Sequence, residues 1–395
     1  MSTRTPITLM AQATPSRSPL AARPQRTRRA RSSRWLAALP VAAGLVTLLP
    51  QTGHASISCS DYAAAHAPTF YFHPDEQYLP MTMTAFIKHS TLKDADDNVL
   101  ASSMSSVADL INASEGDSDE YLEMDEDWGT DTHNIDVGIY YNCADHTDEA
   151  YPYVDIMYSF LTAYNGCEGM RTKTVDVWGS NAKKRNFAMC SLGRHYGDWE
   201  HVTVRQYITD PLQQIITNAH GDSYFWGVTG SVASPRVYVA LNTHGTWPFP
   251  GTWTTYDVYD DSGFTDVLGI LAIEIANGLV TYFGMPRVQS IEVVDITTTS
   301  ELLDTSGGAY HVLTPDDYTL SHIKDTSAIY DYTGRWGQTT SNKHIDGPVG
   351  NIPNINDDNF TSAVQDAMDN GGLNDYKTGK GPTGPWTKDW WIDGE

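Results

Sequence analysis

Residues 193–205 read GRHYGDWEHVTVR, and the reading of this stretch decides the fold. From Glu200 to Ile208 the chain is rich in Val, Thr and Tyr, the composition of a short strand. In a strand, side chains two apart share a face, so Asp198 and Glu200 project together, followed by Val202 and Val204. His195 lies just before them, across a turn that Gly197 allows. The result is H-x-x-D-x-E, an imidazole and two carboxylates within reach of one point. Neighbouring carboxylates repel and need a cation, a shared proton or an Arg between them. A divalent metal satisfies the group best, and hard oxygen ligands with one imidazole favour Mg²⁺, Ca²⁺ or Mn²⁺ over Zn²⁺. Two other readings stand beside it: a structural ion pair with Arg194 or Arg205, and an acid/base pair of a hydrolase using Asp198 and Glu200. His201 falls on the opposite face of a regular strand and reads as a packing residue.

Outward from this motif the chain stays strand-like. Val137–Tyr141, Tyr153–Leu161, Arg236–Asn242 and Ser290–Ile296 are short, rich in Val, Ile, Tyr and Thr, and bounded by turn residues. Strands without intervening helices predict a mainly-β fold, a β-sandwich with a few short helices and long loops. No period of 20–50 residues is present, so solenoids and propellers are not indicated. Phe264–Phe283 has helical length and is apolar nearly all round, which suits a buried core helix or one released onto a membrane. A second short helix is expected from Asp357 or Asp358 through Met368. The Trp-rich end, 372–395, is expected as a strap over the body, anchored by indole rings. Residues 94–127 hold 12 acids and no base and read as a solvated surface loop.

Charge and processing bound the function. The 395 residues carry 25 Lys+Arg against 49 Asp+Glu, a formal charge of −24. Such a surface repels phosphate backbones, which argues against a nucleic-acid partner. Binding to anionic lipid then needs a bridging divalent cation. Residues 1–55 contain eight Arg and no acid, and Trp35–Pro50 is a 16-residue apolar run. With small residues at Gly53 and Ala55, the segment reads as a secretory leader cleaved near Ala55. An uncleaved anchor and an organelle transit peptide are the alternatives. Residues 56–395 then form one large domain. All four cysteines, Cys59, Cys143, Cys167 and Cys190, follow the leader, and an even number in an oxidising compartment predicts two disulfides. Of the three connectivities, Cys167–Cys190 is the expected pair.

Further candidates surround the motif. His73 sits in the turn His73-Pro74-Asp75-Glu76, as a wall of the same site or as part of a capped turn. His244 follows the strand VYVALNT, where it can support a ligand residue or serve as an acid/base. Trp247 and Trp253 either stack on a sugar ring or pack under the loop. No G-x-S-x-G elbow, phosphate loop or HExxH is present.

Five stretches carry a resemblance. APTFYFHPDEQYLP (67–80), VDIMYSFLTAYNG (154–166), GRHYGDWEHVTVR (193–205), THGTWPFPGT (243–252) and GPTGPW (381–386) are similar to the vacuolar-protein-sorting-associated protein 62 family and follow its order. DIMYSF followed by H-x-x-D-W-E-H-V also resembles the secreted necrosis- and ethylene-inducing-like proteins. Those are cytolysin-like β-sandwiches whose GHRHDWE motif holds a divalent cation at plant membranes. The resemblance implies metal ligands at His195, Asp198 and Glu200, with Asn165 where that family has an Asp. It implies a secreted, cation-binding protein that recognises cell-surface glycoconjugates, glycolipids or lipid head groups and can perturb membranes. An extracellular glycan hydrolase and a sorting module without catalysis are the alternatives.

Overall fold

The computed structural model describes residues 58–125, 136–147, 149–166, 168–175, 182–189, 195–208, 213–219, 222–228, 234–260, 287–298, 309–337 and 381–388. Its centre is the strand β6 (Tyr153–Asn165), YVDIMYSFLTAYN, whose residues from Val154 onward are all buried. A strand covered on both faces does not alternate between apolar and polar residues, and this one reads as a nearly continuous apolar run. β6 pairs on one side with β9 (His195–Tyr207) and on the other with β5 (Gly138–His146), both antiparallel. β10 (Gln213–Ala219), β11 (Asp222–Val228) and β17 (Thr319–His322) complete a six-stranded sheet in the order β11-β10-β9-β6-β5-β17.

A second sheet packs on one face of the first. It has the order β13-β12-β1-β16, from Thr246–Trp247, Arg236–Val239, Thr69–Phe72 and His311–Leu313. Phe70, Phe72, Val237 and Val239 meet Ile156, Tyr158, Phe160, Val202 and Val204 between the sheets. Each such side chain contributes roughly 1.5–3 kcal/mol when withdrawn from water. The mainly-β, sandwich-like expectation is met, and every strand anticipated from the sequence overlaps an observed one.

The other face of the six-stranded sheet is covered by short elements. These are α2 (Met83–Lys88), α3 (Val107–Ala113), the sheet β3-β2-β4 (Val99–Ala101, Ser90–Lys93, Tyr121–Met124) and the 3-10 segment Ile323–Asp331. Phe86, Ile87, Leu110, Leu122 and Trp336 pack there against Tyr140, Leu161 and Trp199. The acidic stretch 94–127, expected as a loop, therefore carries β3, α3 and β4. Leu110, Leu122 and Met124 supply a buried face that outweighs the charge density, while Ser106 and Asp109 favour the start of α3. A fourth sheet, β14-β15-β7-β8, is built from Thr252–Asp260, Arg287–Ile296, Glu168–Val175 and Ala182–Met189.

Near the chain end, Trp386 sets its ring 6.1 Å from both Trp199 and Trp336 and 5.9 Å from Tyr330. The rest of the expected strap, the leader, the helices expected over 264–283 and 357–368, and Cys167 and Cys190 lie outside the described residues.

Cys59, at the start of α1 (Cys59–Ala65), is bonded to Cys143 of β5 across a sequence separation of 84. Cross-linking a loop of that size removes unfolded-state entropy worth on the order of 4 kcal/mol. Peptide mapping without reductant should recover Cys59 joined to Cys143. The Cys143→Ser protein should melt well below wild type. Recovery of Cys59 on any other cysteine would contradict this arrangement.

Candidate functional site: a buried carboxylate clamp on the 242–247 loop

The strand β12 stops at Val239, and the chain then turns sharply. Asn242 and His244 both take left-handed backbone angles, φ 65° and 55°. For residues with a Cβ this costs on the order of 1 kcal/mol each and persists only where the surroundings enforce it. Three buried carboxylates enforce it. Glu76 Oε2 accepts the Asn242 backbone N–H at 2.6 Å. Asp198 Oδ2 lies 3.0 Å from His244 Nδ1. Asp295 accepts from the Thr243 hydroxyl at 2.6 Å and from the Trp247 indole N–H at 2.8 Å.

Each carboxylate is placed by a different element. Glu76 closes the turn after β1, with its own N–H donating to the His73 carbonyl at 2.9 Å. Its Oε1 accepts the N–H groups of Gln77 and Tyr78, both at 2.9 Å. Asp198 sits on β9 opposite Thr162 of β6, whose hydroxyl lies 3.2 Å from His244 Nδ1. Asp295 is at the end of β15. Glycines admit the loop closely: a Cβ on Gly245 would overlap the Asp295 carboxylate.

His244 is wholly enclosed, with Asp198 at one ring nitrogen and Glu76 Oε1 3.5 Å from the other. The second contact is longer than a good hydrogen bond and is chiefly electrostatic. Burial opposes charge on the ring, but Glu76 and Asp198 outweigh it and push its pKa up to about 10. Burial also opposes charge on Glu76. His244 and the N–H groups of Asn242 and Tyr78 outweigh that, and the carboxyl stays below its ordinary value. With the ring protonated, Glu76, His244 and Asp198 together carry one net negative charge.

The residues expected from the sequence are divided. Asp198 and His244 join the clamp. His195 lies half-buried, its Nδ1 2.8 Å from the Gly197 carbonyl and its Nε2 3.2 Å from the Asn165 amide nitrogen. Glu200 is half-buried opposite Phe160. His73 is buried and accepts the Asp75 N–H at 3.1 Å; burial lowers its pKa, so the ring is neutral. His201 is buried on the other face of β9, where burial drops its pKa to about 3. Trp247 is buried and tied to Asp295, so its face is not open to solvent, and Trp253 stacks on it at 4.6 Å and 4°. Among the described residues, no group of three or more His, Cys, Asp or Glu side chains is gathered closely enough to hold a metal ion.

Glu76 and Asp295 carry no sequence motif and were not singled out as ligands. One signal was present for Glu76. The stretch 67–80 contains two acids and no Lys or Arg, so an acid buried there needs a distant base.

Fold and site together define a mainly-β domain organised around a buried charged clamp. The profile of vacuolar protein sorting-associated protein 62 matches residues 59–258, just over half of the chain, and the chain belongs to that family. The matched span runs from α1 into β14 and contains Glu76, Asp198 and His244. No curated protein and no solved structure matches the chain.

The clamp makes stability pH-dependent with a definite sign. His244 is raised above its ordinary 6.5, so its contribution is complete below about pH 6.5 and is lost as pH rises through about 10. Glu76 is lowered from 4.5, so its contribution is complete above that value and falls away in acid. The melting-temperature gap between wild type and His244→Gln should be widest near pH 5–6 and narrow steadily toward pH 10. A gap that does not change over that range would contradict a protonated His244.

Proposed function

We propose that this member of the family is an exported recognition domain. It binds a divalent cation through Asp198, Glu200, His195 and Asn165, and through the ion a polar extracellular ligand, either a glycoconjugate or a lipid head group. The observation that carries this reading is the turn at Gly197. Gly197 has φ +62° and lies so close to the Trp336 carbonyl that no Cβ fits. Tyr196 and Trp199 both join the cluster behind the sheet, as do Ala163 and Tyr164, so strand alternation is broken at this point. Alternation beyond the break returns His195 and Asn165 to the face of Asp198 and Glu200.

The donor set, two carboxylates, one imidazole and one amide, suits a hard cation, and binding has to draw together side chains that stand too far apart to hold an ion without it. Asp198 spends one oxygen on His244, and the contacts of the described residues leave the other for a ligand. The net negative charge of the clamp lies directly behind it. Asn165 presents its amide oxygen to the ion by rotating the amide group whose nitrogen now faces His195. The Arg-rich leader and the Cys59–Cys143 bond support export. An acid/base role for His244 is less well supported, because both ring nitrogens are enclosed.

Thermal-shift titration of the purified protein with Ca²⁺, Mg²⁺, Mn²⁺ and Zn²⁺ tests this. At least one of the first three should give a saturable shift, lost in both His195→Ala and Glu200→Gln. Neither substitution touches His244, so both proteins should stay folded. The absence of a saturable shift with any ion would remove the proposal.

A further inference from the structure

The candidate cation face depends on the turn at Gly197, and residues 381–388 reach that turn by two routes. The first runs through backbone. Residues 335–337 lie between β4 and the segment 381–388. The Leu122 N–H donates to the Arg335 carbonyl at 3.0 Å, and the Trp336 N–H donates to the Pro382 carbonyl at 2.8 Å. Arg335 also forms a bridge with Thr383, and its Nη1 donates to the Gly381 carbonyl at 3.3 Å. Glycines let these layers touch. A Cβ on Gly381 would strike the Gly337 carbonyl, one on Gly337 the Tyr196 carbonyl, and one on Gly197 the Trp336 carbonyl.

The second route runs through rings. Trp386, in the short 3-10 turn Pro385–Thr387, meets Trp199 and Trp336 edge to face, and its indole N–H donates to the Tyr332 carbonyl at 3.4 Å. Trp199 is two residues beyond Gly197 on β9, and its ring meets that of Trp336 at 5.3 Å and 90°. Trp336 is wholly enclosed, so both routes converge on a residue with no room to shift. On the far side of Gly197 stands His195, the first residue of β9. Its polar contacts among the described residues are the Tyr196 and Gly197 carbonyls and the Asn165 amide. Two of these three belong to the turn, so a displacement of the turn carries the imidazole with it.

We propose that 381–388 is a positioning strap for the cation site. Gly381 and Trp386 act through Trp336 on the Gly197 turn and so set His195 on the face of Asp198 and Glu200. The inference rests on the recognition reading above and adds to it the element that orders the imidazole ligand. Asp198 has a separate anchor in His244, so loosening the strap displaces His195 and leaves the clamp in place. A ligand residue closes reproducibly on an ion only when the groups that support it are themselves fixed.

The test uses the full protein and the variants Trp386→Ala and Gly381→Ala, at a temperature where each is folded. Two quantities are read: the imidazole NMR signals of the ion-free protein, and the affinities for Ca²⁺, Mg²⁺ and Mn²⁺ by calorimetry. Both variants should move the His195 signals and leave those of His244 in place. Both should weaken the ion that wild type binds roughly tenfold or more, the loss typical when a support of a ligand residue is removed. Trp386→Phe keeps a ring against Trp199 and Trp336 and should restore most of the affinity. Cys143→Ser is the control: it lowers the melting temperature from a remote site and should change neither reading. Gly381→Ala, which keeps every ring, decides the matter if Trp386→Ala does not fold. Unmoved His195 signals overturn the strap, as does an unchanged ion affinity in both variants. If wild type binds none of the three ions, the recognition reading fails, and the His195 signals alone still decide whether the strap sets that residue.

Discussion

An imidazolium without solvent contact, held between two buried carboxylates, organises the loop on which this molecule turns. Placing three ionised groups in a protein interior carries a large desolvation cost, and the arrangement persists only when each group is fully engaged. Here the engagement is dense. Glu76 collects three backbone N–H groups in addition to the ring, and Asp198 has the ring beside Thr162. Removing one partner would leave a charge stranded, so the three act as a unit. Their joint effect is geometric: they hold Asn242 and His244 in left-handed conformations that neither would choose alone.

The clamp depends on the layered sheet around it. Asp198 can face the 242–247 loop because its neighbour Trp199 faces the opposite side of the sheet, into a buried cluster with Trp336 and Trp386. Gly197 and Gly337 let the Tyr196–Gly197 and Trp336–Gly337 backbones touch, and a Cβ on either glycine would strike the opposing carbonyl. The sheet thus carries charge on one face and indole rings on the other, with the motif D-W-E as the seam. The proposed cation face lies next to the 242–247 loop, and Asp295 braces that loop through Thr243 and Trp247.

Much of the fold was legible in the sequence, because β-branched and aromatic runs mark strands wherever one face is buried. β5, β6, β9, β12 and β15 were readable in this way. β2, β3 and β4 were not, since these strands of three or four residues border five acids in 94–101 and 121–125, which hide a small apolar face behind charge. The candidate site was half legible. Asp198 and His244 stood out by type and setting. Their pairing did not, because strand periodicity joins Asp198 to Glu200 and His195, whereas the partner arrives from a loop 46 residues away. Glu76 was hidden for the same reason. A carboxylate in a turn looks solvated until the tertiary fold buries it.

The most direct test of the account is the charge state of His244 itself. Long-range ¹⁵N NMR of the imidazole rings, with His244 assigned by comparison with His244→Gln, reports whether both ring nitrogens carry protons. The account predicts an imidazolium at pH 7 that persists to pH 8.5 or beyond, because its pKa lies near 10. A neutral tautomer at pH 7 would contradict it, and the two carboxylates would then need another source of positive charge.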